Sequence, residues 1–315
     1  GEKNLYCYND KNFFIVSSTM DSIIKFLNGH SINKEVITNY FKTRHYMPIN
    51  QNSIKDIITL PSGSISEYCL IKNTFVTKIY DDPLNWINEK KYNQFKKLGE
   101  DEAAEYLDFH LNEEAKLMIP NTKFGCIVSG GIDSSLQAAI ISKYETVSKY
   151  ATIDHGSKDH IMKEINNFNK YFTKKINKIK LNQKEYIQLA KKCYKIVSSP
   201  LFTHDLPSRL KISNYFRKEN CKVFFSADGC DELFGGQQIY NKVFKKDYDF
   251  KKNQSPYSTT FIEDNEKDIY QNNLNKVWKR ILNKYEFIKD KKERNIQSSL
   301  FMDYFVQSIN VANRS

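Results

Sequence analysis

Apolar residues follow two different spacings along the chain. Up to about residue 82, short runs with the composition and alternation of strands surround two stretches with helical spacing. The predicted strands are 5–8, 13–17, 57–60, 66–71 and 74–80, and the predicted helices are 21–27 and 34–43. Gly29 is predicted to end the first helix, since glycine commonly follows the last helical residue. This part is therefore predicted to be a β-rich layer with two inserted helices.

From residue 101 onwards, strand-like and helix-like segments alternate. An acidic start, helically spaced alanines and leucines and a closing Pro120 predict one amphipathic helix over 101–118. The strands predicted after it are 125–129, 149–153, 178–181 and 222–227, and the helices are 134–143, 160–172, 184–197 and 206–218. This alternation predicts an α/β fold with a doubly wound, mostly parallel sheet, in which ligands bind beyond the carboxyl ends of the strands.

The chain is predicted to comprise three regions. Residues 1–82 form the β-rich region, which is expected to be incomplete because a strand begins almost at once. The change of pattern at Asp81-Asp82-Pro83 starts a polar, lysine-rich connector over 83–100. Residues 101–315 form the α/β domain, which ends in a helical, charged part. In that part, helices are predicted at 277–288 and 300–311 and a polar loop at 245–268.

Composition narrows the class of protein. The net charge of +11 comes from lysines spread along the whole chain, without the arginine-rich cluster that would favour nucleic acid as a partner. The six cysteines form no Cys-x-x-Cys pair, which predicts reduced thiols in a cytoplasmic protein rather than a zinc site. No apolar run approaches the roughly 18 residues needed to span a bilayer, so a membrane is not predicted as a partner.

The first chemical motif is the stretch Ser129-Gly130-Gly131-Ile132-Asp133-Ser134-Ser135, between an apolar strand and an apolar helix. Glycines let a backbone bend sharply, and the start of a helix offers N–H groups to an anion. A phosphate or pyrophosphate is the expected ligand. The stretch lacks the lysine of a Walker A loop and is not a dinucleotide fingerprint. Because Asp133 would repel a bare phosphate, a bridging cation such as Mg2+ is implied.

The second motif follows the predicted strand that ends near Ser226. It places three acidic residues, Asp228, Asp231 and Glu232, among three glycines, Gly229, Gly235 and Gly236. If both strands belong to one parallel sheet, Asp133 and Asp231 project from the same edge and could share a cation. The two motifs together are much more specific than either is alone.

At these residues the chain resembles the synthetase domain of glutamine-dependent asparagine synthetases, which are class II amidotransferases. Residues 129–135 match that family's Ser-Gly-Gly-x-Asp-Ser-Ser loop, the signature of N-type ATP pyrophosphatases, without a mismatch. Residues 227–237 are similar to its Gly-Asp/Glu-Gly-x-Asp-Glu-x-Phe-Gly-Gly-Tyr motif, with Ala227 and Gln237 as departures.

Weaker similarities extend to both ends. Residues 1–6 and 60–63 resemble parts of the latter half of the family's glutaminase domain, and 311–315 resemble the segment before its C-terminal helices. The resemblance therefore implies a partial glutaminase-like domain of the Ntn type over 1–82 and a synthetase domain that continues past Ser315. The family's glutaminase uses an N-terminal cysteine, whereas this chain begins with Gly1. We expect either a fragment of a longer protein or another nitrogen source.

The resemblance also implies a reaction. A small carboxylate similar to aspartate would attack the α-phosphate of ATP, pyrophosphate would leave, and ammonia from glutamine would attack the acyl-adenylate. The implied cofactors are ATP and Mg2+. A homodimer is left as an open alternative.

Particular residues take on roles through the same resemblance. Asp133 and Asp231 would bind Mg2+, and Asp228 and Glu232 would be catalytic, Asp228 by handling the nucleophile or the intermediate. The lysines that hold pyrophosphate are left open among Lys242, Lys245 and Lys246. The residues implied to bind the nucleotide are Ser129, Gly130, Gly131, Asp133, Ser134, Ser135, Ile153 and Gly229.

Other interpretations of the motifs stay open. A β-lactam synthetase or a peptide macrocyclase would share them and use an internal amine, and a tRNA-modifying enzyme would share the first loop. A degenerate scaffold subunit is the non-enzymatic alternative, against which the intact Asp133 and Asp231 argue. Acidic residues at a helix start can also be explained by the helix dipole alone.

Overall fold

A computed structural model of the chain describes residues 4–43, 51–156, 159–172, 174–197, 205–236 and 267–304. Backbone contacts group the chain into two compact units. The first unit draws on 1–89, 194–203 and 229–315, and the second draws on 90–193 and 204–228. The predicted division at residues 82 and 100, and the predicted glutaminase-like nature of 1–82, stay predictions.

The described secondary structure consists of short strands and mostly longer helices. The strands are β1 (Tyr6–Asn9), β2 (Phe14–Ser17), β3 (Ile57–Thr59), β4 (Ser64–Cys69), β5 (Thr74–Ile79), β6 (Phe124–Ile127), β7 (Lys149–Asp154), β8 (Ile176–Lys180) and β9 (Val223–Phe225). The helices are α1 (Met20–Leu27), α2 (Lys34–Thr43), α3 (Glu89–Phe95), α4 (Glu100–Met118), α5 (Ile132–Tyr144), α6 (Asp159–Tyr171), α7 (Gln183–Val197), α8 (Leu206–Lys218), α9 (Cys230–Phe234), α10 (Lys267–Lys284) and α11 (Lys291–Asp303).

The second unit is built on a parallel sheet in the order β8-β7-β6-β9. Neighbouring residues of β7 point to opposite faces, as the period of two requires. Tyr150 packs into one apolar cluster and Ala151 into another. The first cluster includes helical residues from α4, α5 and α6, and the second includes Ile212 and Phe216 of α8. Helices therefore cover both faces, which confirms the doubly wound α/β prediction.

The pairing of β6 with β9 determines where the two motifs meet the sheet. Cys126 lies opposite Phe225 in this parallel pair, and opposite Tyr150 on the other side. Both strands therefore end at the same edge, with the first motif following β6 and the second following β9. This confirms the expectation that the two strands belong to one parallel sheet.

Gly125 in β6 allows α8 to pack directly on the sheet. A Cβ atom at this position would come within 2.1 Å of the ring of Phe216, which is fully buried. We expect Gly125→Ala to reduce the free energy of unfolding by roughly 1–3 kcal/mol, because the aromatic ring has no room to retreat. Chemical denaturation measures the loss. Gly29→Ala is the control, since its methyl group would meet nothing within 4 Å; equal stability of the two variants would contradict this packing.

The first unit contains two antiparallel sheets, one in the order β2-β1-β3 and one formed by β4 and β5. Met20 and Ile23 of α1 pack with Ile54 and Ile57 into its apolar cluster. Helix α1 ends at Leu27, as predicted, and its C-cap residue Asn28 takes the left-handed conformation with φ of 47°. The prediction that Gly29 provides this stop is therefore wrong, because asparagine also tolerates left-handed backbone.

Several predicted boundaries differ from the structure. The connector 83–100 contains a 3-10 turn at Pro83–Asn85 and helix α3, and β8 begins two residues before the predicted start. The helix predicted at 277–288 begins earlier, since it is part of α10. The helix predicted at 300–311 begins at Lys291, because the Asp290 side chain accepts a hydrogen bond from the Glu293 N–H at 2.7 Å and caps it there.

Some predictions fall on residues outside the described ranges. These are Gln237, Lys242, Lys245, Lys246, most of the loop 245–268, and the segment 311–315. No helix in the described part of the chain combines the length and the apolar character needed to cross a membrane.

Candidate functional site

The loop between β6 and α5 is shaped by Gly130. Its φ of +88° is a conformation that only glycine adopts readily. A Cβ atom there would lie 3.0 Å from the Cβ atom of Glu164 and 3.4 Å from the backbone nitrogen of Ile165, both on α6. Backbone conformation and close packing therefore both require glycine at this position.

Hydroxyl groups fix the loop internally. The Ser134 Oγ accepts a hydrogen bond from the Ser129 N–H at 3.1 Å and lies 3.0 Å from the Ser129 Oγ. The Ser129 Oγ in turn accepts from the Gly131 N–H at 3.3 Å. Ser134 is buried, whereas Ser129 is exposed. The buried Ser134 hydroxyl thus stabilises the loop through its internal hydrogen bonds, whereas the exposed Ser129 side chain is accessible to a ligand.

Helix α5 begins directly after this loop, with Gly131 as its N-cap residue. The first N–H groups of an α-helix have no acceptor within the helix, and they carry the positive end of its dipole. The Ser135 N–H already donates to the Gly131 carbonyl at 3.2 Å and so belongs to the helix itself. The N–H groups before it are the ones suited to an anion.

A cleft of about 290 Å³ in the second unit opens beside this loop. Three strand ends and α8 contribute to its walls, which combine polar and apolar residues. The lining residues are Ile127, Ser129, Gly131, Asp133, Ser134, Ile153, Asp205, Ser208, Arg209, Ile212, Ser226, Ala227 and Asp228. The cleft therefore brings together six residues singled out from the sequence: Ser129, Gly131, Asp133, Ser134, Ile153 and Asp228.

Asp133 is exposed on the wall of this cleft. Its carboxylate makes no hydrogen bond or ion pair with the residues that the structure describes. Within the same residues, no group of three or more histidine, cysteine, aspartate or glutamate side chains could hold a metal ion. Mg2+, however, is commonly bound by one or two carboxylates together with substrate phosphates. An unpaired aspartate next to an anion loop fits that mode of binding.

Asp228 is held by two neighbours. Its Oδ1 accepts from the Arg209 Nη2 at 2.8 Å, and its Oδ2 accepts from the Arg209 Nη1 at 2.9 Å and from the Ser226 hydroxyl at 2.6 Å. Partial burial acts to raise the pKa of Asp228, but the hydrogen bonds from Arg209 and Ser226 outweigh it and lower the pKa below its ordinary value. Asp228 is therefore ionised at neutral pH.

Arg209, Asp205 and Ser226 were not singled out from the sequence. Arg209 lies on α8 and also pairs with Asp205, four residues earlier. Gln137 of α5 donates to the Ser226 carbonyl at 3.0 Å and so ties the first motif's helix to the end of β9. Asp205 and Arg209 lie four residues apart, which is the spacing of an ion pair within a helix. This spacing was the one signal in the sequence that could have indicated these residues.

The rest of the second motif belongs to the first unit. Gly229 and Gly235 flank α9 in left-handed conformations, with φ of 92° and 72°. A Cβ atom at Gly236 would lie 2.3 Å from an Asp231 carboxylate oxygen, so glycine there makes room for that side chain. Glu232 is buried, with 9% of its surface exposed. The shared cation predicted for Asp133 and Asp231 stays a prediction.

A parallel α/β sheet with a glycine loop at its carboxyl edge defines the class of protein as a doubly wound α/β fold, in which ligands bind beyond the strand ends. The asparagine synthase family model matches residues 115–308, which is more than half of the chain. The chain belongs to the asparagine synthase family.

Two curated relatives come from Methanocaldococcus jannaschii. "Putative asparagine synthetase (glutamine-hydrolyzing) 1" is 31% identical over 166 residues, which cover 52% of this chain and 29% of that protein. "Putative asparagine synthetase (glutamine-hydrolyzing) 2" is 25% identical over 266 residues, which cover 79% of this chain and 47% of that protein. The chain thus matches less than half the length of either relative.

Among solved structures, the chain is similar to an NH3-dependent NAD synthetase from Campylobacter jejuni subsp. jejuni in complex with the nitrate ion. The identity is 16% and the TM-score is 0.34, and the match covers 67% of this chain and 93% of that one.

Proposed function

We propose that the protein is an ATP-dependent carbon–nitrogen ligase of the asparagine synthetase type. It activates a small carboxylate as an acyl-adenylate with release of pyrophosphate, and ammonia from glutamine then forms the amide. The observation that carries the proposal is the Gly130 loop, which opens onto a cleft shared with the unpaired Asp133 and with Asp228. Family membership and the names of the two relatives support the same reaction.

The loop would act on the leaving pyrophosphate. The N–H groups at the start of α5 and the Ser129 hydroxyl are held in place before any ligand arrives. Groups that are fixed in advance stabilise developing negative charge without having to reorganise. Apolar side chains that include Ile153 line the same cleft, and they suit the adenosine part of ATP.

The charge of the cleft argues for a divalent cation. Its lining carries the carboxylates of Asp133, Asp205 and Asp228 against the single guanidinium of Arg209. A triphosphate would be repelled by this surface, so ATP is proposed to enter with Mg2+. Asp133 would hold the cation, which would supply Lewis acid chemistry at the phosphate oxygens. Asp231 is proposed as a further ligand from the family motif alone.

Asp228 is proposed to act through its charge. Because it is ionised and faces the cleft, it can orient the amine that attacks the acyl-adenylate or stabilise positive charge on that nitrogen. The catalytic role of Glu232 rests on the family motif, and the burial of its side chain favours a supporting role over direct contact with substrate.

Product analysis tests the proposal. The intact protein is incubated with ATP, Mg2+, ammonium and a panel of small carboxylic acids that begins with aspartate. We expect AMP and pyrophosphate in equal amounts, formed only when the correct acid is present. ADP and phosphate in their place would rule out adenylation. Full turnover without added ammonium or glutamine would favour the β-lactam synthetase or macrocyclase alternative, and turnover only with tRNA would favour the tRNA-modifying one.

A further inference from the structure

Arg209 occupies an unusual place in the cleft because it lies in neither motif. It lies in the first turns of α8, whose start is fixed by the buried Leu206 and Pro207. About one third of its side chain is exposed, and it lines the cleft together with Asp205 and Asp228. It is the only cationic side chain among the described lining residues.

The guanidinium is held from two sides. Its Nε donates to Asp205, one helical turn earlier, and its two terminal nitrogens each donate to a different oxygen of Asp228. A bidentate pairing of arginine with a carboxylate fixes both distance and orientation, which a lysine cannot do with a single ammonium group. The carboxylate of Asp228 therefore has one defined orientation at the cleft wall.

We infer that Arg209 is a positioning residue that fixes the Asp228 carboxylate for the reaction, with Asp205 holding the guanidinium in place. The inference rests on the proposed function, since it deepens the role given to Asp228. Arg209 and Ser226 donate three hydrogen bonds to the Asp228 carboxylate, one to Oδ1 and two to Oδ2, so Oδ1 keeps one acceptor position for the amine while Asp228 serves as a fixed negative charge.

The competing role for Arg209 is direct binding of a phosphate group. Three of the five N–H groups of Arg209 already donate to carboxylates. The two carboxylates, of Asp205 and Asp228, also balance its positive charge. A direct phosphate ligand would be expected to have a free guanidinium. The two roles differ in the kinetic constant they affect: a positioning role acts on kcat, and a phosphate ligand acts on the KM for ATP.

The experiment compares Arg209→Met, Arg209→Lys and Lys211→Met in the intact protein. Lys211 is the matched control, because it is a cation on the same helix that pairs with Glu185 outside the cleft. We expect Arg209→Met to lower kcat by on the order of 100-fold, the scale of a misplaced catalytic group, with little change in the KM for ATP. Arg209→Lys should restore part of kcat, and Lys211→Met should match the wild type.

A second measurement does not depend on turnover. The pH titration of the Asp228 carboxyl carbon is followed by NMR in the wild type and in Arg209→Met. Asp205 is a further charged group beside this pair, and it acts to raise the pKa of Asp228. Without Arg209, both burial and Asp205 remain, so the pKa of Asp228 should move upward.

The outcomes separate the inference from the proposed function. A large rise in the KM for ATP with kcat preserved would overturn the positioning role, as would an unchanged titration of Asp228 in a folded Arg209→Met protein. If the wild type forms no pyrophosphate with any acid, the proposed function fails, and with it any catalytic role for Arg209. The titration would then still show whether Arg209 controls the ionisation of Asp228.

Discussion

Asp133→Asn is expected to lower kcat/KM for ATP-dependent pyrophosphate release by on the order of 10²- to 10³-fold, the scale reached when one preorganised electrostatic contact is removed. The side chain is exposed and makes no hydrogen bond or ion pair with the described residues, so the fold should lose little. The expected loss comes from the cation, because an amide is a weaker ligand than a carboxylate for Mg2+. Raised Mg2+ concentrations should recover part of the activity.

Asp101→Asn is the matched control for this variant. Asp101 is also an exposed aspartate near a helix start, on α4, and it does not line the cleft. It should behave like the wild type in both activity and Mg2+ dependence. Near-normal turnover of Asp133→Asn would reject the assignment of Asp133 as a metal ligand.

Gly130→Ala is expected to damage the loop itself. A non-glycine residue held at this φ costs roughly 1–3 kcal/mol, and the added methyl group would press on Glu164 and on the backbone of α6. The loop should therefore shift, which lowers both thermal stability and the affinity for ATP. Calorimetry of unfolding and of ATP binding measures the two effects separately.

Gly156→Ala separates general backbone strain from the specific contact. Gly156 has a φ of +75°, but a Cβ atom there would meet nothing within 4 Å. Its variant should lose stability through strain alone and keep its affinity for ATP. If Gly130→Ala bound ATP as tightly as the wild type, the Gly130 loop would not be the phosphate site.

The architecture of the second unit followed from the sequence because its determinants are local. Apolar runs such as 124–128 alternate with segments of helical spacing, and each predicted run overlaps a strand of the parallel sheet. The predictions about helix ends were wrong where a polar residue, and not the apolar spacing, determines the end of the helix. The start of α11 depends on the capping carboxylate of Asp290, and the end of α1 depends on a left-handed asparagine. Both signals are single residues that a periodicity argument does not detect.

The candidate site was only partly predictable for a different reason. The Gly130 loop is contiguous in sequence, and its glycines and hydroxyls are needed within a few residues of one another. The Arg209 pair, in contrast, joins a helix to a strand end 19 residues later. Only the packing of α8 on the sheet, through Phe216 against Gly125, places this arginine beside Asp228. No local pattern in the sequence indicates that Arg209 and Asp228 lie close together.

The central claim is that a carboxylate oxygen of the substrate bonds to the α-phosphorus of ATP. It is tested most directly with a substrate acid labelled with ¹⁸O in the reacting carboxyl group, incubated with the intact protein, ATP, Mg2+ and ammonium. When ammonia displaces AMP from the acyl-adenylate, one labelled oxygen should leave with AMP and be detected in it by mass spectrometry. Label in inorganic phosphate, with none in AMP, would contradict the account.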